Sequence, residues 1–350
     1  MKNLAKDILR LLSSLQLTIV GLVLAMALIF FGTLEQVQLG IWAVQAKYFR
    51  SFIVFWSPPG GGWSIPIMPG GYLLGTVLMV NLIAAHVTRF RLTWKKVGIS
   101  VIHVGIVLLL LGELLSGVFQ RDYDMVLDEG QTSNYSEAAR EIELVVIDTS
   151  DPDIDRVVSI PQGRLLQGGR IQHPSLPFTV DIQAFYPNAR IFRRGSGTPP
   201  PGPLADKGLG AALFAMGADP VTKENERDLT TAIVQVSDAG ESLGTWMTCN
   251  AFRETQSFEY KDRTYVLKLR QRRFYKPFSI TLLDFTHDRY PGTDIPRNFS
   301  SRIRLVDENA GEDREVRIYM NHPLRYAGLT FFQASFANDD RTSILRVVKN

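Results

Sequence analysis

Residues 81–113 read NLIAAHVTRFRLTWKKVGISVIHVGIVLLLLGE. Two apolar arms flank a short basic linker, and each arm holds one histidine, His86 or His103. The chain has only five histidines. It therefore places two of them in segments that read as lipid-buried helix. The arms extend to residues 71–88, GYLLGTVLMVNLIAAHVT, and 97–119, VGISVIHVGIVLLLLGELLSGVF. Each is close to or beyond the ~20 apolar residues that a helix needs to cross a bilayer. The stretch is thus predicted to be a transmembrane hairpin.

A third span lies upstream. Residues 15–34, LQLTIVGLVLAMALIFFGTL, contain no charge. A cleaved signal peptide would have a shorter apolar core and a small-x-small site after it. Here GTLEQVQ follows, so a retained helix is expected. The loops orient the spans. Lys2, Lys6 and Arg10 precede the first span, and Arg89, Arg91, Lys95 and Lys96 separate the other two. Residues 35–70 carry only Lys47 and Arg50. The positive-inside rule puts the N-terminus and the 89–96 linker in the cytoplasm. Everything after Gln120 is then expected on the outer side. Residues 41–56, IWAVQAKYFRSFIVFW, are aromatic-rich and suit an amphipathic helix in the outer interface, or a short re-entrant segment. SPPGGGWSIPIMPGG then breaks regular structure, and Trp42, Trp56 and Trp63 suit an interfacial belt.

The two parts of the chain differ in charge. Residues 1–119 hold nine Lys/Arg against three acids, and the remainder holds 29 against 32. Basic and acidic residues are interleaved in the second part, so no nucleic-acid stripe exists. From about residue 138 the pattern becomes that of strands. REIELVVIDT (140–149), FTVDIQAFY (178–186), TAIVQVSD (231–238), RTYVLKLRQ (263–271), FSITLLDFTH (278–287), SSRIRLVD (300–307), REVRIYM (314–320) and LTFFQASF (329–336) are rich in β-branched or aromatic residues. No long amphipathic helix stands out. The expected architecture is a membrane domain, 1–120, followed by a large all-β extracytoplasmic domain, 121–350, of sandwich or barrel-like form. A Pro/Gly-rich insertion at 193–228 interrupts it, and LGAALFAMG within it reads as a short helix or as a plain loop.

Cys249 is the single cysteine, which excludes an internal disulfide framework, a Cys-x-x-Cys-His motif and zinc sites built on cysteine pairs. No Ser-His-Asp order, phosphate loop or His-Glu-x-x-His motif is present. His173, His287 and His322 are isolated in the β-domain and read as non-ligands. The remaining chemistry lies in the spans, where an ionisable residue is a functional candidate by default. His86 sits about 5 Å and His103 about 10 Å from the linker side, at 1.5 Å per residue. Neutral imidazole is a good ligand of haem iron. Three readings stay open: both histidines bind one haem, one binds haem with a partner protein supplying the other ligand, or both merely hydrogen-bond or reach to the interface. Glu113 lies about 15 Å beyond His103 and has no role assigned from sequence. Gly98, Gly105 and Gly112 recur every seven residues, along a face suited to close helix packing.

Four stretches together carry a family resemblance. They are FGTLEQVQLGIWAVQAKYFRSF, the 81–117 hairpin, FSITLLDFTHDRYPGTDIPRNFSSRIRLVD and YMNHPLRYAGLTFFQASF. In this order they resemble the ResB family, also called CcsB, of the system II cytochrome c biogenesis machinery. The resemblance implies a haem-handling subunit of a cytochrome c haem lyase complex in the bacterial inner membrane. Its implied partners are a ResC/CcsA-type membrane protein, apocytochrome c and thiol-reducing proteins. It implies haem as cofactor and His103 as axial ligand to the iron, with His86 the second candidate. Such proteins usually carry a fourth transmembrane helix after the β-domain, and none follows SILRVVKN. That helix is expected on a separate chain, cut off, or absent in this branch, so this chain should not complete the synthase alone. Two other functions are compatible with the residues: a bis-His electron-transfer protein of b type, and a non-catalytic membrane-anchored scaffold.

Overall fold

The computed structural model describes residues 2–58, 62–89, 93–195, 202–221, 227–293, 296–337 and 341–349, with the side chains of 2–5, 89, 95 and 296 left aside. Arg91 of the basic linker and residues 196–201 and 222–226 of the insertion lie outside the described residues. The chain forms two compact units, Met1–Gln120 and the β-domain of Arg121–Val221 with Arg227–Asn350.

The first unit is helical. Helix α1 (Lys2–Leu12) leads into α2 (Leu15–Val44), strands β1 (Ile53–Trp56) and β2 (Ile65–Pro69) pair antiparallel, and α3 (Gly71–Arg89) and α4 (Val97–Phe119) form the hairpin. Among the described residues three segments are long and apolar enough to cross a membrane: Leu15–Phe49, Gly71–Thr88 and Val97–Phe119. In lipid a backbone must satisfy its own polar groups, which makes helix the only local solution for such sequences.

The break between α1 and α2 exposes helix ends, and side chains close it. Ser14 Oγ accepts from the Leu17 amide at 3.1 Å. Asn81 of α3 is buried, and its Nδ2 donates to the Leu12 and Ser14 carbonyls at 2.6 and 3.0 Å. Its Oδ1 accepts from Thr18 at 2.6 Å. One amide thus ties α3 to the break.

The expected interfacial helix over 41–56 takes another form. Gly40 has φ +74°, outside the helical region, and turns the chain there. Residues 41–49 are helical, ending in a π-turn at Gln45–Phe49, but they fold back on α2. Lys47 Nζ lies 2.8 Å from Glu35, a separation of 12 residues that a straight helix would spread over ~18 Å. Residues 53–56 are strand β1, not helix.

The β-domain contains β3 (Arg121–Asp128), β4 (Thr132–Asp148), β5 (Arg156–Pro161), a short helix α5 (Gln162–Gln167), β6 (Gly169–Ile171), β7 (Thr179–Tyr186), β8 (Ala189–Arg193), β9 (Leu213–Gly217), β10 (Thr231–Asp238), β11 (Glu241–Cys249) and β12 (Gln256–Tyr260). It continues with β13 (Arg263–Arg289), β14 (Pro296–Asp307), β15 (Glu312–Tyr319), β16 (Leu324–Tyr326), β17 (Leu329–Ala337) and β18 (Thr342–Lys349). Residues 263–271 and 278–287, read as two strands, are one strand of 27 residues. Pro277 is accommodated because the register with β4 shifts between Tyr275 and Ile280, where no ladder hydrogen bond is required of it. LGAALFAMG is not a helix beyond a 3₁₀ turn at Gly208–Ala212; β9 follows and pairs with β8.

Strands β4 and β13 run through both halves of this domain. In one half they and β5 face a smaller sheet, β11-β10-β7-β6. The sandwich core there includes Leu144, Leu267, Leu269, Val180, Val234 and Trp246. In the other half the order β15-β14-β13-β4-β3-β18-β17-β16 curls until its edges meet, with a bridge between Tyr319 and His322 beside the short β15–β16 turn. This nearly closed barrel encloses Met125, Leu127, Ile280, Leu282, Ile303, Leu305, Phe331 and Leu345. Each such side chain contributes about 1.5–3 kcal/mol on burial. Both expected forms, sandwich and barrel-like, therefore occur in one domain.

Among the buried polar groups, Arg270 Nε donates to Glu143 Oε1 at 2.8 Å, with both side chains less than a tenth exposed. Ser159 Oγ completes the carboxylate at 2.5 Å. Replacing Arg270 with Met should destabilise the β-domain by about 3–5 kcal/mol, because Glu143 is left charged and buried. The double variant E143L/R270M should recover most of that loss. Urea unfolding followed by far-UV circular dichroism checks both.

Candidate functional site

The α3–α4 hairpin brings the two predicted histidines together. The rings of His86 and His103 lie with centroids 5.7 Å apart and planes at 90°. Both are half-buried. The face of α4 turned toward its neighbours carries Ser100, His103, Val107, Leu110, Leu114 and Gly117, the spacing of one helical stripe. His103 therefore points inward because of its register, not because of its own polarity.

Among the described residues nothing packs closely on the glycine face of α4. A Cβ added at Gly98, Gly105 or Gly112 would meet nothing within 4 Å. Those glycines lie on the side of α4 turned away from α3. Gly117, which the sequence did not single out, makes the close approach: its added Cβ would lie 2.9 Å from the Tyr72 hydroxyl.

Two imidazoles in contact among apolar residues can coordinate a metal jointly. Among the described residues no group of three or more His, Cys, Asp or Glu comes together. Two protein donors are too few for a closed zinc site, whereas imidazole nitrogen is a donor that haem iron would accept. The donor set thus fits the group expected from sequence.

At the other end of the hairpin, α2, α3, α4 and the π-turn enclose a cavity of about 490 Å³. Arg50, Tyr72, Thr76, Met79, Leu110 and Glu113 are among its walls. Glu113 is an exposed residue of α4 and opens onto this space. Sequence reasoning noticed the charge but could not see the cavity, which needs three non-adjacent segments.

The β-domain histidines are engaged locally. His287 lies 4.4 Å from the Phe336 ring, His322 stacks on Tyr319 at 4.1 Å, and His173 Nδ1 accepts from the Ser175 amide at 3.2 Å. Lys276 is the less expected group. It sits at the β13 bulge, its Nζ donating to Ser136 Oγ at 2.6 Å and to the Phe274 carbonyl at 3.1 Å. Burial pushes its ammonium down to about 8. No sequence signal marks it, since a lysine beside a proline reads as a turn.

The fold and site define a class: a membrane protein with three apolar helices, a paired-histidine hairpin and a barrel-like β-domain. Residues 239–349, from the β10–β11 turn onward, match the model of the ResB-like family. The chain is 41% identical over 69 residues to protein NrfI of Wolinella succinogenes, covering 20% of this chain and 8% of NrfI. It is 39% identical over 59 residues to cytochrome c biogenesis protein CcsB of Prochlorococcus marinus, covering 17% of this chain and 14% of that protein. A CcsB of Picosynechococcus is 39% identical over 62 residues, covering 18% and 13%. The matches span less than a fifth of the length of these curated relatives. The chain is similar to the ResB/CcsB proteins, as the four sequence stretches indicate.

Two outcomes follow from this geometry. In a C249S background, H86C/H103C should be joined by a short bifunctional thiol reagent, whereas H86C paired with a cysteine at Leu109 should not. Peptide mapping of the treated chain reads this. Separately, Lys276 has a lower proton affinity folded than unfolded, so stability rises with pH between about 8 and the ordinary lysine value of 10.5. Lys276→Met should therefore stabilise the domain near pH 7, by on the order of 1–3 kcal/mol. That advantage should shrink as pH rises through the same window, measured by unfolding midpoints.

Proposed function

We propose that this chain is a haem-handling subunit of the system II cytochrome c synthase. It helps to move haem across the membrane and to present it for attachment to apocytochrome c, together with a ResC/CcsA-type partner. The contact between His86 and His103 in an apolar hairpin carries the reading, and the similarity to proteins named for cytochrome c biogenesis supports it.

His103 is the better ligand. It lies on the inward stripe of α4 with apolar residues on both sides. His86 either completes the pair or yields its place to a ligand from the partner. The chain has no Cys-x-x-Cys-His motif, so haem held here is not covalently attached by that route and can be passed on. The basic linker and N-terminus favour the cytoplasmic side, which puts the histidines near the entry side and the β-domain in the periplasm. Haem is cargo in this scheme. The chain's own residues bind it and hold its orientation, and the bond-forming chemistry belongs to the assembled complex.

In membranes containing the chain and a ResC/CcsA-type partner, H103A should lower the recovered haem by about tenfold or more and abolish cytochrome c maturation. H86A should have the smaller effect. Absorption spectra of the purified complex and haem staining of the cytochrome read the two outcomes. Unchanged haem content and maturation in both variants would refute the proposal.

A further inference from the structure

The inward-facing side chains of the barrel change character at one end. Every second residue of a strand faces the same way. Met125 on β3, Phe278 on β13 and Val347 on β18 belong to the barrel core. Two residues further toward this end those strands carry Tyr123, Lys276 and Lys349. Register brings them together: Tyr123 lies opposite Val347, Lys349 opposite Leu329, and Phe274 opposite Ser136 of β4. They enclose a cavity of about 330 Å³, whose buried walls include Phe278 and Val347. We propose that this open end of the barrel binds a compact organic acid, a carboxylate or phosphate carried on an apolar body. The site is separate from the histidine pair and does not depend on the haem-handling reading.

The first argument is charge. No carboxylate lines the cavity. Lys276 is half-buried, and among the described residues no ion pair engages it or Lys349. Glu141, whose charge reaches Tyr123, is itself held by Arg272 at 2.9 Å. Arg121 adds a further positive charge near the same tyrosine. An ammonium taken out of water without a counter-charge costs stability. The lowered proton affinity of Lys276 has burial as its cause and reflects that cost. An anionic ligand would remove it.

The second argument is hydrogen bonding. An ammonium has three N–H donors. Lys276 spends two, on Ser136 Oγ at 2.6 Å and on the Phe274 carbonyl at 3.1 Å, and one is left. Ser136 is only 1% exposed, and its own hydroxyl hydrogen has no acceptor among the described residues. The Tyr123 hydroxyl and the Lys349 ammonium likewise donate to none of them. Buried donors are ordinarily satisfied. The cavity thus offers donors in excess, the complement of a carboxylate or phosphate head.

The third argument is the apolar surface beside those donors. The Tyr123 and Phe274 rings lie 4.3 Å apart, and Leu329 and Val347 also line the space. A bare inorganic anion would leave this surface uncovered, and a neutral apolar ligand would leave the ammonium unpaired. A head and a compact apolar body together answer both. The volume lies at the small end of the range for ligand sites, which recur in the mouths of β-barrels.

The test uses the full chain in phosphatidylcholine nanodiscs, titrated with phenyl phosphate and followed by ligand-observed nuclear magnetic resonance. Phenyl phosphate should bind, and phenol or inorganic phosphate should bind at least about tenfold more weakly. K276M should weaken phenyl phosphate about tenfold or more, and K349M about threefold. K268M, at an exposed lysine opposite Val145 in the sandwich half, should change nothing. K276M is expected to be more stable than the wild type near pH 7, so its loss of binding is separable from unfolding. Native mass spectrometry from nanodiscs containing phosphatidylglycerol distinguishes the source of the acid. Retained phosphatidylglycerol that is lost in K276M identifies a lipid headgroup, and retention equal in both chains identifies a soluble acid. The inference is overturned if phenyl phosphate does not bind, if K276M binds it as the wild type does, or if phenol binds as tightly.

Discussion

Backbone amides that leave water must find partners within the chain, and both units are built around that demand. In the apolar first unit the helix meets it residue by residue. Where helices break, a side chain substitutes, as when Asn81 takes the carbonyls of Leu12 and Ser14. That amide, on the same helix as His86, anchors the hairpin to the N-terminal break. The histidine pair thus depends on a polar contact five residues away along α3.

In the β-domain the same demand is met between strands. The ladder of β13 against β4 spans sandwich and barrel, so two cores share one pair of strands. Two-residue turns with both residues at positive φ, Ala239-Gly240, Lys261-Asp262 and Ala327-Gly328, close three hairpins in the hand that suits twisted strands. The barrel has little free edge because its first and last strands in spatial order are neighbours in sequence. The family match falls on residues 239–349, which include most of that barrel.

The two ends of the hairpin carry different polar groups. Imidazoles meet at one end of the hairpin, while a carboxylate and a guanidinium face one cavity at the other. Both places are made by α3 and α4 together, which is why the 81–113 stretch governs the chemistry as well as the topology.

Local pattern was enough to read the three apolar helices, most strands and the similar depth of the two histidines, because span length, strand alternation and hydropathy are properties of neighbours in sequence. The fold-back at Gly40 was not legible, since it depends on Lys47 reaching Glu35 and on aromatic residues packing over Gly32. The continuous β13 was hidden by Pro277, which reads as a break until a partner strand supplies the bulge. The glycine repeat of α4 marks one face of that helix, and the packed hairpin shows that α3 covers another. Which residues could be expensive in lipid was written in the sequence. Which of them meet one another was decided by tertiary packing, because a cavity between α2, α3 and α4 is a relation among segments that no local pattern contains.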